Sequence, residues 1–264
     1  MKYESKMIIL HQIRKVTMSS ALSKNQIKLI KGLSQKKNRQ LERLFIVEGI
    51  KGISEFLKSD FKLKSLFTTK SIFEAPKDLV FEISEVELKK ISALKNPNTA
   101  LAVFEIPNQE STQEKGLIVA LDDVRDPGNL GTIIRLCDWY GVKDLVCSYN
   151  TVDCYNPKVV QATMGSLTRV NVQYVNLNDY LTSCKTTVFG TFLEGENIYT
   201  ADLPTEGIIV LGNEANGISE SIEAEVSRKV TIPQFGHIKA TESLNVANAT
   251  AILLSEFRRR TIET

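Results

Sequence analysis

Residues Leu117–Gly131 read LIVALDDVRDPGNLG, and the fold is decided there. Leu117–Leu121 is a continuous apolar run, the pattern of a strand buried on both faces. The polar turn Asp122–Pro127 interrupts it, and a helical pattern over Gly128–Tyr140 follows. The same rhythm continues to the end of the chain. Strands are expected at Asp144–Cys147, Val170–Tyr174, Thr187–Phe192, Ile208–Leu211 and Lys229–Ile232. Helices are expected at Asn156–Gly165, Leu177–Cys184, Ser219–Ala224 and Ser243–Arg260. Apolar strands joined by helical crossovers imply an α/β fold with a mostly parallel sheet covered on both faces. Ligands of such sheets bind outside the carboxyl ends of the strands.

Upstream the elements are shorter. Ser23-Lys24-Asn25-Gln26 fits a capping box, with Ile27, Ile30 and Leu33 following at helical spacing. Lys24, Lys28 and Lys31 fall on the opposite face, and Gln35–Arg39 reads as a basic loop or helix end. A strand at Leu44–Glu48, a helix at Ile50–Lys58, and strands at Leu63–Thr69 and Leu79–Ile83 follow. A second capping box, Ser84–Glu87, opens a helix to Leu94, and a strand at Ala100–Ile106 closes this small α/β unit. The polar, turn-rich stretch 107–115 reads as a linker. The expected domains are therefore an N-terminal extension 1–17, a small domain 18–106, the linker, and a larger domain 116–264.

The net charge of the 264 residues is only +2, which argues against a basic nucleic-acid binder until the charge is divided along the chain. Residues 1–114 carry 20 Lys and Arg against 13 Asp and Glu, a net of +7; the remainder carries 13 against 18, a net of −5. Residues 1–45 hold 11 basic side chains against only Glu4 and Glu42. One half thus suits an anionic partner, or else carries a solvated lysine-rich face. The four cysteines, Cys137, Cys147, Cys154 and Cys184, form no CxxC pair and read as reduced, which points to the cytoplasm. With only His11 and His237 available, no Cys/His set has zinc spacing, so no metal is expected. The apolar runs fall far short of the ~18 residues of a membrane span, so no membrane association is expected. Met7–Leu10 is likewise too short for a signal-peptide core of ~7–15 residues.

Three strand-end segments carry the polar residues of interest. The first is Asp122–Gly131, running into a helix that bears Arg135. Asn129 and Arg135, six apart, could come onto neighbouring faces at one opening, with Arg135 toward an anionic group. Taken alone, the segment favours a plain helix start with a capping Asp or Asn and a solvated arginine. The second is Leu211-Gly212-Asn213-Glu214, reaching Gly217 and Ile218. The third runs from Ile232-Pro233 to Glu242-Ser243-Leu244-Asn245-Val246 and Asn248. Asn is disfavoured inside helices, so Asn245 and Asn248 are expected to be buried amides facing a polar site or a chain crossing. Neither GxGxxG nor a P-loop is present, which removes a nucleotide-dependent Rossmann enzyme.

In this order the three segments resemble the motifs of the SpoU-type (TrmH-like) RNA 2′-O-ribose methyltransferases of the SPOUT superfamily. Asn129, Gly131 and Arg135 match the first motif; Leu211–Glu214 with Gly217 match the second; Ile232-Pro233 and Glu242–Val246 match the third. Ser23–Glu48 resembles the start of the family's substrate-binding domain, a ribosomal-protein-like α/β sandwich. The likeness spans about residues 20–260. His237–Thr241 makes a longer loop than the family's common form.

The resemblance implies a methyltransferase domain with a deep C-terminal trefoil knot, although knots run against the general rule. It implies a homodimer paired through that domain to complete the active site. It also implies S-adenosylmethionine held by Thr191, Gly212, Asn213, Gly217, Ile232 and Leu244. The reaction would be an in-line methyl transfer to a ribose 2′-hydroxyl, with alignment supplying much of the rate. Arg135 would act on the hydroxyl, with Asn129, Glu214, Ser243 and Asn245 orienting it and the ribose. A guanidinium is a poor base, so a neighbouring RNA phosphate would take the proton while Arg135 positions it. Lys24, Lys28, Lys31, Lys36, Lys37, Arg39 and Arg43 would contact RNA phosphates. The two-domain build favours ribosomal over transfer RNA. The competing reading is a catalytically silent RNA-binding assembly factor on the same fold.

Overall fold

The computed structural model describes residues 22–108, 116–236 and 243–259. They fall into two compact units: one runs through Leu57 and resumes over Lys62–Glu105, and the other combines Lys58–Phe61 with the chain from Ile106 on. The extension 1–17, the His237–Thr241 loop, Glu242 and most of the 107–115 linker lie outside the described residues.

The first unit contains α1 (Lys24–Gly32), α2 (Lys36–Glu42), β1 (Leu44–Glu48), α3 (Ile50–Leu57), β2 (Leu63–Thr68), β3 (Val80–Glu82), α4 (Glu85–Ile91) and β4 (Ala100–Glu105). Its sheet order is β1-β4-β2-β3. Strand β4 is antiparallel to β1 and β2, and β3 is parallel to β2. Both capping boxes form. Ser23 Oγ accepts the Gln26 N–H at 3.2 Å while Gln26 Oε1 accepts the Ser23 N–H at 2.9 Å, and Ser84 and Glu87 repeat the exchange. Every residue of β1 is buried, because helices cover both faces. Leu44 and Ile46 join Ile30, Leu33, Leu88 and Ile91 of α1 and α4. Phe45 turns the other way, 5.5 Å from the Phe56 ring of α3 and 6.1 Å from Phe104. The basic stretch Gln35–Arg39, expected as a loop or helix end, instead starts α2.

The second unit contains β5 (Leu117–Leu121), α5 (Pro127–Trp139), β6 (Asp144–Ser148), α6 (Pro157–Thr163), β7 (Asn171–Val175), α7 (Leu177–Ser183), β8 (Val188–Asn197), β9 (Gly207–Leu211), α8 (Glu220–Glu223), β10 (Arg228–Thr231) and α9 (Val246–Arg259). The order is β10-β8-β9-β5-β6-β7, and every pairing is parallel. On one face α7 and α8 cover Ile118, Ala120, Val146, Val188, Ile208 and Val210. On the other, α5 packs against α6 and α9, and the Phe257 ring of α9 meets Phe189 of β8 edge-on at 5.1 Å. This two-sided burial is why the strands read as unbroken apolar runs.

Strand β8 departs from expectation by running on to Asn197. It pairs with β9 only over Val188–Gly190, then bows outward, so that Lys229 of β10 faces Gly190 while Val230 faces Glu196. Thr231 Oγ1 bonds the Leu193 carbonyl inside this bow at 3.0 Å. Among the described residues no helix is long and apolar enough to cross a membrane.

Candidate active site

Strand order reverses at β5. The chain leaves β5 for β6 and β7 on one side, then returns to build β8, β9 and β10 on the other. The crevice at such a reversal, beyond the carboxyl ends of β5 and β9, is where open parallel sheets bind ligands. The loops there are tied together. Asp122 N–H donates to the Leu211 carbonyl at 2.9 Å, and the nearly buried Asp122 carboxylate accepts the Ser219 N–H at 2.8 Å. Asn213 Nδ2 donates to the Asp123 carbonyl at 2.7 Å. Asp123 sits in the left-handed region at φ 60°, and its N–H donates to Ser148 Oγ at 2.9 Å.

On this base three distant segments meet. Asp126 caps α5, accepting the Asn129 N–H at 2.8 Å, which presents the Asn129 amide toward the β9 loop. Asn129 Nδ2 donates to Glu214 Oε1 at 3.0 Å, and Asn245 Nδ2 donates to Asn129 Oδ1 at 2.9 Å. Glu214 also accepts the backbone N–H groups of Arg125 and Asp126, each at 3.3 Å. Partial burial pushes its carboxyl pKa up, but the Asn129 amide and the backbone donors outweigh that and hold it below the ordinary value. The line Asn245–Asn129–Glu214 thus ends on an ionised acceptor that fixes the orientation of both amides.

The remaining positions are placed differently. Asn245 and Asn248 are exposed, not buried. Asn245 precedes α9 and caps it: its Oδ1 accepts the N–H groups of Ala247 at 2.9 Å and Asn248 at 3.3 Å. A helix rule applied one residue too early misread it. Arg135 is exposed, about 120° around α5 and roughly 9 Å along it from Asn129. It lies on a crest with Gly128, Thr132 and Trp139, and among the described residues it bonds none of the amide line. Ser243 is exposed and likewise outside that line. Gly131 serves the packing of α5 on α6 more than a turn, since a Cβ there would lie 2.4 Å from Ala162 Cβ.

In the first unit, Lys24, Lys28 and Lys31 form one exposed stripe on α1, and Lys36 and Lys37 are exposed at the start of α2. Arg43 is exposed at the left-handed end of α2, φ 53°. Arg39 is a correction. It is 2% exposed, and its Nη1 donates to the carbonyls of Leu33 at 2.8 Å and Ser34 at 2.9 Å. It ties α2 to the end of α1 and is closed to RNA phosphates.

Of the six positions expected to hold S-adenosylmethionine, five lie at the carboxyl side of β8, β9 and β10, and Leu244 directly precedes Asn245 of the amide line. Thr191 follows the last residue that β8 pairs with β9, Gly212 follows β9, and Ile232 follows β10. Asn213 and Gly217 exchange backbone hydrogen bonds at 2.8 and 2.9 Å, closing the β9 loop on itself. A Cβ on Gly212 would lie 2.0 Å from the Gly217 carbonyl carbon, so the backbone there is necessarily bare. Leu244 is 50% exposed, and Phe235, three residues past Ile232, is 81% exposed. No ionisable side chain occurs among the six. Bare backbone with open apolar side chains fits a neutral adenosine moiety gripped through main-chain groups. A separate cavity of about 240 Å³, lined by Ile118, Lys185, Thr186 and Glu206, lies at the opposite, amino ends of β5, β8 and β9. The strand-end rule and the polar line both favour the carboxyl ends as the site.

The model of the SpoU rRNA Methylase family matches residues 116–255, more than half of the chain. The chain belongs to the SpoU rRNA methylase family. A model described as an MRM3-like substrate binding domain matches residues 24–102. The 23S rRNA (guanosine(2553)-2′-O)-methyltransferase RlmP of Bacillus subtilis is 32% identical over 247 residues, covering 89% of this chain and 97% of that protein. A TrmH-family protein from Porphyromonas gingivalis has a similar structure, with a TM-score of 0.84 at 41% identity over 90% of this chain and 99% of the other. The AdoMet-bound rRNA methyltransferase of Sinorhizobium meliloti matches with a TM-score of 0.79 at 32% identity over 90% and 95%. Asp122, Asp123, Arg125 and Asp126 lie in the first motif segment but were not singled out there, and the structure ties each of them into these loops. The signal for Asp126 was its place before Pro127, a common pattern at helix starts.

Proposed function

We propose that this chain is an S-adenosylmethionine-dependent RNA 2′-O-ribose methyltransferase acting on ribosomal RNA. The observation that carries the proposal is the Asn245–Asn129–Glu214 line, which joins three segments at the switch point of a parallel sheet. Residues 18–106 hold the RNA, and 116–264 carry out the transfer. The C-terminal part of that domain is tied in a deep trefoil knot, and two copies pair through it in the cytoplasm.

S-adenosylmethionine, when bound, supplies an electrophilic methyl group. Gly212, Asn213, Gly217, Thr191, Ile232 and Leu244 would hold it. The amide line sets the entry to α5 and the start of α9, so Asn245 is presented beside Asn129, and the third motif assigns Ser243 to the same site. Arg135 draws an RNA phosphate toward the ribose 2′-hydroxyl, and that phosphate accepts the proton as the oxygen is alkylated. A guanidinium keeps its proton at any physiological pH, so Arg135 acts by position and charge.

The test is methyl incorporation into ribosomal RNA from labelled S-adenosylmethionine, with 2′-O-methyl mapping in RNA from cells lacking the protein. Arg135→Ala is expected to abolish incorporation with S-adenosylmethionine binding near normal; turnover retained in that variant would remove Arg135 from its role. RNA binding without incorporation by the wild type would mark an assembly factor instead. A monomer by light scattering would oppose the paired active site.

A further inference from the structure

We infer that Arg125 is a phosphate-binding residue that positions the RNA strand beside the reacting ribose, an inference that rests on the ribose-methyltransferase reading. Its backbone N–H is bonded to Glu214 Oε2 at 3.3 Å, so it stands one link from the amide line. Its guanidinium is held by Asp123 in a two-point fork, Nε to Oδ1 and Nη2 to Oδ2, both at 2.8 Å. Asp123 is itself fixed. Its N–H is bonded to Ser148 Oγ, its carbonyl accepts the Asn213 amide, and its backbone occupies the left-handed region. A long, flexible side chain is thereby set in one direction before any ligand arrives.

Holding it so brings the fold little. The Arg125 side chain is 70% exposed, and exposed ion pairs contribute little to stability. The cost of ordering it makes sense if the outward edge of the guanidinium is used. That edge keeps the Nη1 hydrogens and one on Nη2, a planar set matched to two oxygens of a phosphodiester.

The surroundings point to the same ligand. Asp122, Asp123, Asp126 and Glu214 line these loops in the acidic half of the chain. Four carboxylates would repel an RNA backbone entering the crevice. Arg125 cancels the charge of Asp123 and turns a donor surface outward at that entrance. Removing it subtracts a cation and unmasks a carboxylate together. Arg135 does not duplicate this, since it stands on the crest of α5 with no tie to the β9 loop.

The experiment uses the full chain, ribosomal RNA and labelled S-adenosylmethionine across a range of salt. Arg125→Ala is expected to raise the KM for RNA about ten-fold at low salt, with kcat and S-adenosylmethionine affinity held. The slope of log affinity against log salt should become shallower by about one. Arg125→Lys should recover only part of the loss, because an ammonium lacks the fork. Asp123→Asn should give a smaller rise in KM, the cation being present but unaimed. An unchanged KM in Arg125→Ala, alongside an active wild type, overturns the inference. So does a loss of S-adenosylmethionine affinity and melting temperature equal to the loss for RNA, which would mark a loop brace. If the wild type transfers no methyl group, the methyltransferase reading falls, and direct RNA binding by the same variants still decides Arg125.

Discussion

Arg39 and Glu48 are charged side chains that the first unit buries, and the two behave oppositely. Arg39 spends its Nη1 donors on carbonyls at the end of α1. Arg39→Ala strands those acceptors, so a loss of about 1–3 kcal/mol in unfolding free energy is expected, with RNA affinity of the folded protein retained. Urea unfolding and RNA titration of the same variant check both halves. Glu48, 8% exposed, accepts Ser92 Oγ–H and, at 2.9 Å, the Ala93 N–H. Burial raises its carboxyl pKa above the ordinary value, and the two hydrogen bonds pull it back without cancelling the rise. Folding therefore favours the protonated form. The stability this provides is complete below the unfolded-state pKa and is lost as pH rises through the higher folded one. Glu48→Gln keeps an acceptor for Ala93 and offers an amide to Ser92. Wild type should lose ground to this variant as pH climbs from the carboxylate range toward neutrality. Urea midpoints that track each other across that range would refute the charge argument.

Between elements, the approach of α5 to α6 at Gly131 fixes the position of α5. A methyl group there would meet Ala162 Cβ at 2.4 Å and the Val159 carbonyl oxygen at 3.1 Å. Gly131→Ala should gain helix propensity on α5 yet lose a net 1–3 kcal/mol or so from overpacking. Adding Ala162→Gly should restore part of it, since the methyl clash goes and the close backbone approach stays. Thermal melts of the two single variants and the double variant would expose independence as simple additivity. Much of this element-level architecture is legible in the sequence. Two-sided burial writes β1, β5 and β9 as continuous apolar runs, and hydroxyl caps mark α1 and α4. Three features are hidden. The bow in β8 depends on Thr231 reaching the Leu193 carbonyl, a contact 38 residues apart. The residue before helix α2 is Gln35, which makes no side-chain cap. Asn245 reads as helix interior because its true role, capping α9 while bonding Asn129, needs a partner 116 residues away. The site is legible as residue types and order; its wiring is not, because each link closes a long loop of chain.

At the scale of the whole molecule, the charge division is the feature that local stability does not account for. Helix α2 opens with Lys36 and Lys37, carries no acidic residue in its first turn, and has no side-chain cap. Cations at a helix amino end oppose the backbone dipole, costing about 0.3–1 kcal/mol each at an exposed site. Helix α1 begins on Lys24, also without an acidic first turn. Two helix starts of the first unit thus carry lysine where a carboxylate would suit the dipole, an arrangement that an anionic ligand would reward. The sign of the dipole then sets the expected outcome. Changing Lys36 and Lys37 to Glu should leave the fold as stable or slightly more so, because carboxylates suit that helix end. Over the same substitution RNA affinity should fall, and the slope of log affinity against log salt should shrink by about two, roughly one for each phosphate no longer neutralised. Stability and affinity then move in opposite directions, which misfolding would not produce. Filter binding at graded salt, beside a melt of the same protein, gives both numbers. An unchanged slope would return α2 to a solvated lysine-rich face and leave the +7 of the first 114 residues without a ligand.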